Sequence, residues 1–264
     1  MPFLSQLHSA PSEQAGTSKS TLWRAIKAGR RSAAGAGGPQ LAGRSIFSFA
    51  LSGAAVAGPL EDANAALQRG DYATALALAR PLADRGLAVA QLVLGVMYGG
   101  GHGVPQDYAE AANWHRSAAE QGCPEAQTIL GAMYAKGQGV PQNDAKAAKW
   151  FRKAADQDHA AAESNLGLMY AQGRGVAQND AEAAKWFRKA ADKSLVEAQT
   201  ILGLIYVKGQ GVAQNYILAH MWFNLAAAQG DAAALANRDL LARMMTPAQI
   251  AEAQRLAQER TTTK

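Results

Sequence analysis

Two kinds of segment in this 264-residue chain carry residue types that could do chemistry. The first is "AKGQGVPQND", Ala135 to Asp144, where Gly137 and Gly139 flank a glutamine ahead of a proline and an amide-acid pair. Closely spaced glycines can turn backbone N–H groups toward a phosphate. A dinucleotide fingerprint, however, follows a strand and adds a third glycine, and a P-loop needs Gly-Lys-Ser/Thr. Neither condition is met, and the same corner recurs elsewhere, including "GGGHG", Gly99 to Gly103. The second segment, "KWFRKA", occurs at Lys149 to Ala154 and Lys185 to Ala190, setting aromatics among bases as single-strand binders do. On a helix, Trp150 shares the inward face with Ala147 and Ala154, which leaves Lys149, Arg152 and Lys153 to the flanks and solvent. Asp156 and Asp192 sit one turn on, placed to pair with Arg152 and Arg188. A solvated face is the expectation.

Other reactive types are sparse. The five histidines, His8, His102, His115, His159 and His220, show neither a His-x3-His pair nor a shared repeat position, so no metal site is expected. The single cysteine, Cys123, excludes an intrachain disulfide and a cysteine-bound zinc. No Gly-x-Ser-x-Gly elbow or Ser-x2-Lys pair marks a nucleophile in the folded region. These readings predict no cofactor, no metal and no catalytic residue. One polar file remains: Gln91, Gln127, Glu163 and Gln199 occupy one recurring position beside an apolar stripe. Asn165 interrupts a second file of Val93, Ile129 and Ile201. Gln91, Gln127, Asn165 and Gln199 are therefore candidate contacts for a partner peptide, against the alternative that each amide ties down a neighbouring corner.

The formal charge of +5 suggests a polyanion ligand, but it has an address. Residues 1–57 hold six bases (Lys19, Arg24, Lys27, Arg30, Arg31, Arg44) against Glu13, and the rest balances twenty bases with twenty acids. A neutral folded part has little non-specific pull on nucleic acid. The extension itself is rich in Ser, Ala and Gly without periodicity, a composition that predicts disorder. After Arg44 come mostly apolar residues ending in Ala55-Val56-Ala57, the small-x-small pattern that a signal peptidase reads. The run is too short to span a bilayer. It begins near residue 44 rather than at the terminus, as a start codon placed too far upstream would produce. The expected location is periplasmic or secreted, with a disordered or organelle-targeting tail and a cytoplasmic location as alternatives.

A repeat of 36 residues positions all of these segments. Gly95, Gly131, Gly167 and Gly203 keep that spacing, as do Tyr98, Tyr134, Tyr170, Tyr206 and Trp114, Trp150, Trp186, Trp222. Ala126, Leu130 and Tyr134 at i, i+4, i+8 predict a first helix; Ala147, Trp150 and Ala154 at i, i+3, i+7 predict a second. Asp107 with Glu110, and Asn179 with Glu182, have capping-box spacing. Gly122 and Gly230 suit a left-handed turn after the second helix, Asp158 tolerates it, and Ser194 predicts a different shape. The glycine inside each first helix costs roughly 0.5–1 kcal/mol relative to alanine, so it predicts close approach of the second helix and its tryptophan. A divergent half-unit precedes the array with a helix expected over Glu61–Arg69, and Thr246-Pro247-Ala248-Gln249 predicts a final helix to about Glu259.

This unit, Leu-Gly-x2-Tyr, Gly-x-Gly-Val and Ala-x2-Trp-x3-Ala-Ala, resembles the Sel-one-like repeat, a relative of the tetratricopeptide repeat, over about Pro59 to Glu259. The resemblance implies an all-α fold, a right-handed α/α superhelix with helical caps. The domains follow: extension 1–57 with the signal-like segment at about 44–57; cap pair 58–87; four repeats within 88–230 (88–123, 124–159, 160–195, 196–231 approximately); cap and tail 231–264. It implies a non-catalytic adaptor that binds a partner protein or peptide in the bacterial envelope. The alternative is an envelope enzyme or effector acting on a glycan or β-lactam-type ligand. Cysteine-rich members linked to β-lactams carry cysteine pairs in each repeat, and this chain lacks them.

Overall fold

A computed structural model of the chain describes residues 54–262. The basic extension and the run after Arg44, up to residue 53, lie outside the described residues. Among the described residues, twelve α-helices and no strand are found. Helix α1 (Ala54–Gln68) starts well before the Glu61 expected and runs through Gly58-Pro59. Its inward stripe of Leu60, Ala63 and Ala66 is buried against α2 (Tyr72–Asp84), and alanine's helix propensity carries the element upstream.

Four helix pairs follow. The first helices are α3 (Ala88–Gly100), α5 (Pro124–Lys136), α7 (Ala160–Gln172) and α9 (Val196–Lys208). The second helices are α4 (Tyr108–Glu120), α6 (Asp144–Ala155), α8 (Asp180–Asp192) and α10 (Tyr216–Ala228). Helices α11 (Ala232–Ala242) and α12 (Pro247–Thr262) close the array, α12 turning back onto α10. Each helix otherwise packs mainly on its neighbours in sequence, the one-dimensional stacking of a solenoid. The core repeats with the sequence: Ala126, Leu130 and Met133 of α5 meet Ala147, Phe151 and Ala154 of α6, all buried, as are the matching residues of the other pairs.

The mid-helix glycine does bring two helices together, but the tryptophan is not its partner. A Cβ on Gly131 would lie 2.9 Å from the Phe151 ring and 3.3 Å from the Ala147 carbonyl. Phe187 and Phe223 cover Gly167 and Gly203 in the same way, and His115 covers Gly95. Trp150 is only half-buried; successive residues point about 100° apart on a helix, and the residue after the tryptophan faces the crossing.

The corner between paired helices is a docking element. Gly137 ends α5 in the left-handed region at φ 68°, and the second glycine, Gly139, repeats that φ. A Cβ on Gly139 would fall 1.8 Å from the Tyr108 carbonyl oxygen, so this corner rests on the first residue of the preceding second helix. Asn143 then caps α6 by accepting from Lys146 N–H at 2.9 Å, while its own N–H donates to the Tyr134 carbonyl at 2.9 Å. The same donation joins Asp107 to Tyr98 and Asn179 to Tyr170, so Glu110 and Glu182 do not complete capping boxes: the cap N–H is already taken. A full box forms at α12, where Thr246 N–H donates to Gln249 Oε1 at 2.9 Å and Gln249 N–H returns to Thr246 Oγ1 at 3.3 Å. Ser194 departs from expectation: at φ 65° it adopts the left-handed turn of Asp158 at φ 62°, at a cost of roughly 1–2 kcal/mol.

The glycine crossing makes a direct prediction. Gly131→Leu overpacks the Phe151 contact and is expected to destabilise by roughly 1–3 kcal/mol or more, read as a fall in melting temperature. Phe151→Ala should cost about 3–5 kcal/mol and exceed Trp150→Ala; the reverse order would place the tryptophan at the crossing.

Candidate binding surface

The polar file lies inside the stack. Gln91, Gln127 and Gln199 are buried, and each donates from Nε2 to a carbonyl near the end of the preceding second helix: Ala83, Ala119 and Ala191 at 3.3, 3.0 and 3.2 Å. Each side-chain oxygen accepts from a second glutamine thirty residues on: Gln121, Gln157 and Gln229 at 2.8, 2.9 and 2.9 Å. In the third unit both partners change. Glu163 is fully buried and takes Lys193 Nζ at 2.5 Å, with Asp158 also on that ammonium at 3.1 Å. The other carboxylate oxygen, Glu163 Oε2, has no hydrogen-bond partner. Asn165, half-buried, donates to the Ala161 carbonyl of its own helix at 2.8 Å. The four candidate residues thus sit apart in separate units, and their hydrogen bonds run within the chain.

The remaining reactive types are also placed by packing. At the glycine corner, the N–H groups of Gly137 and Gln138 both donate to the Met133 carbonyl, so they do not converge on a ligand. His102 stacks on Tyr72 at 4.6 Å, and at the same corner position of the third unit Arg174 forks onto Asp144 at 3.0 and 2.6 Å. His159 Nδ1 meets Thr128 Oγ1 at 2.9 Å. His115 and His220 are buried with Nδ1 unpartnered. Burial pushes the Cys123 thiol up to about 11, which leaves it protonated and inert at neutral pH. Among the described residues no group of three His, Cys, Asp or Glu is arranged to hold a metal ion.

What faces out is the charged side of the second helices. Arg152 does not pair with Asp156; it hydrogen-bonds the Tyr170 hydroxyl and lies over the Tyr170 and Trp186 rings at 5.5 and 5.4 Å. Arg188 likewise lies over Tyr206 at 5.5 Å, while Asp192 pairs with Arg260 of α12 at 2.5 Å. Lysines cover the tryptophans: Lys153 over Trp150 at 4.4 Å and Lys189 over Trp186 at 4.7 Å. The i, i+4 rule points to carboxylates one turn away; the partners come from 18 and 34 residues on, in the next unit of the repeat.

Helix pairs joined by glycine corners, bonded unit to unit through buried side chains, define an α-solenoid built to present surface. The Sel1 repeat model matches residues 88–123, 124–159, 160–195 and 196–231, and the chain belongs to the Sel1 repeat family. It is similar to c5321, a protective antigen of uropathogenic Escherichia coli whose crystal structure displays an SLR fold, at 36% identity and a TM-score of 0.63. That match covers 67% of this chain and 38% of the antigen, so this chain spans well under half of its length. A Sel1 repeat protein from Oxalobacter formigenes is 34% identical with a TM-score of 0.61, over 65% of this chain and 71% of that one. No curated protein matches the chain.

Two buried groups give predictions. Lys193→Gln strands the Glu163 carboxylate in the interior, an expected loss of about 3–5 kcal/mol in chemical denaturation. Adding Glu163→Gln recreates the amide pair of the sister units and should recover most of that loss; no recovery would show that the pair is not a substitute for the amides. His115, fully packed over Gly95, has its pKa lowered from 6.5 to about 4 by burial. The unfolded chain therefore binds the proton first, so the contribution is intact above pH 6.5 and is lost as pH falls toward 4. The full loss is about 3 kcal/mol. Melting temperature measured across that window should fall in the parent chain, and less steeply in His115→Phe.

Proposed function

We propose that this chain is a non-catalytic adaptor that binds a partner protein or peptide on the solenoid surface, in the bacterial envelope. Sel1 repeat proteins generally mediate protein–protein interaction. The observation that carries the reading is the contrast between inward and outward files. Inward positions keep alanine, leucine and glycine in every unit, whereas the outward position shared by Glu110, Lys146 and Glu182 changes sign from one unit to the next. A scaffold that fixes its core and varies its surface is suited to recognition. The apolar run ending in Ala55-Val56-Ala57 supports the envelope placement. No helix among the described residues is long and apolar enough to cross a membrane.

The test is expression of the full chain in a bacterium, with cell fractionation and photo-crosslinking from probes on the outer faces of α4, α6 and α8. The expected result is a chain shortened near Ala57 in the envelope fraction, joined to discrete protein adducts. Cytosolic retention with residues 1–57 intact would overturn the placement, and absence of any discrete adduct would overturn the adaptor reading.

A further inference from the structure

Resting on the adaptor reading, we propose that the outer faces of α6 and α8 bind an acidic segment, rich in Asp and Glu, of the partner protein. Lys146, Lys149 and Lys153 fall at i, i+3 and i+7 of α6, all exposed, and Lys185 and Lys189 repeat the last two places on α8. Among the described residues no ion pair joins a carboxylate to Lys146, Lys149, Arg152 or Lys153, while Asp158 is near enough to Lys189 for the two charges to interact. Lys185 pairs with Glu182 at 3.6 Å.

Rings hold five of these cations, Lys149 and Lys185 being the exceptions. Lys146 lies over Tyr134 at 5.4 Å, and the contacts of Lys153, Lys189, Arg152 and Arg188 described above are of the same kind. An aromatic face orients a cation without neutralising it, so its charge and remaining N–H donors stay available to an incoming carboxylate.

The positive ground is short and bounded. At the positions of Lys146, Lys149 and Lys153, helix α4 carries Glu110, Asn113 and Ser117. On the other side, α10 carries Leu218, Met221 and Leu225 and is packed against by α12. From Lys146 to Lys153 the helix rises about 10 Å, the reach of a few carboxylates. Trp150 and Trp186, already covered by lysines, offer a nucleic acid poor stacking platforms. The chain's own extension, six bases against one acid, has the wrong composition for an acidic ligand.

Fluorescence anisotropy of a dye-labelled octa-glutamate peptide with the full chain tests this, with tryptophan emission as a second readout. The expected result is saturable binding that weakens as NaCl rises from ~50 to ~300 mM and falls at least about tenfold in Lys149→Glu/Lys153→Glu. Lys149→Ala/Lys153→Ala should weaken it to a smaller degree, and Lys136→Glu, off the patch, should leave it unchanged, all at an unaltered melting temperature. Peptide binding by the charge-reversed chain equal to the parent's overturns the proposal, as does an oligo-dT of equal charge binding as tightly as the peptide. Partner adducts that persist in the charge-reversed chain would remove this patch while leaving the adaptor reading standing; loss of adducts in the parent chain removes that reading itself.

Discussion

Where Gly131 passes under the ring of Phe151, the separation of the two helices of a unit is set by a missing side chain, and three further crossings copy it. Much else in the unit depends on that spacing. It puts the Tyr134 carbonyl within reach of the Asn143 N–H, which starts the second helix, and it lets Gly139 settle on the Tyr108 carbonyl of the unit before. Each glycine gives up roughly 0.5–1 kcal/mol of helix propensity, and the buried aromatic contact offsets this, since such a ring is worth several times as much when enclosed.

The junctions between units follow a different chemistry. A carbonyl near the end of each second helix already accepts backbone N–H groups of its own turn, and Gln91, Gln127 and Gln199 add a side-chain donor from the next unit, which ties the two units together. The third junction replaces both amides with Glu163 and Lys193. A carboxylate cannot donate to a carbonyl, so this junction exchanges a neutral bond for an ion pair and leaves Glu163 Oε2 unpartnered. It depends on one lysine for its compensation, whereas its sisters spread the same task over two neutral groups.

The fold was legible because its constraints repeat: glycine, tyrosine and apolar spacing define paired helices wherever the eye begins. What could not be read were choices between adjacent residues. Trp150-Phe151 offers two aromatics to one crossing, and helical periodicity with ±2-residue boundaries does not decide which faces in. The same ambiguity hid His115, which follows Trp114 and occupies a phenylalanine's place. The partners of Arg152 were missed for another reason: local i, i+4 rules see one helix, and this guanidinium reaches rings of the next unit. Of the candidate contacts, the Gln91, Gln127 and Gln199 file was visible as a pattern, but its direction, into the stack, depends on helix rotation that sequence alone leaves open.

The two middle units are where a rigid surface is easiest to maintain. Helices α6 and α8 are each gripped by complete units on both sides, whereas α2 lies between α1 of the cap and the first complete unit and α10 is covered by α12. Long cationic side chains ordinarily lose roughly 2 kcal/mol of rotamer freedom when they are fixed on binding. Lys153 on Trp150 and Lys189 on Trp186 have already lost part of it to the ring beneath. Recognition by such groups starts from a smaller ordering cost, so modest charge can give useful affinity. Half-buried Trp150 therefore supports the surface lysine above it, although its equivalents Trp186 and Trp222 are buried. That is consistent with the crossing itself belonging to the residue that follows it.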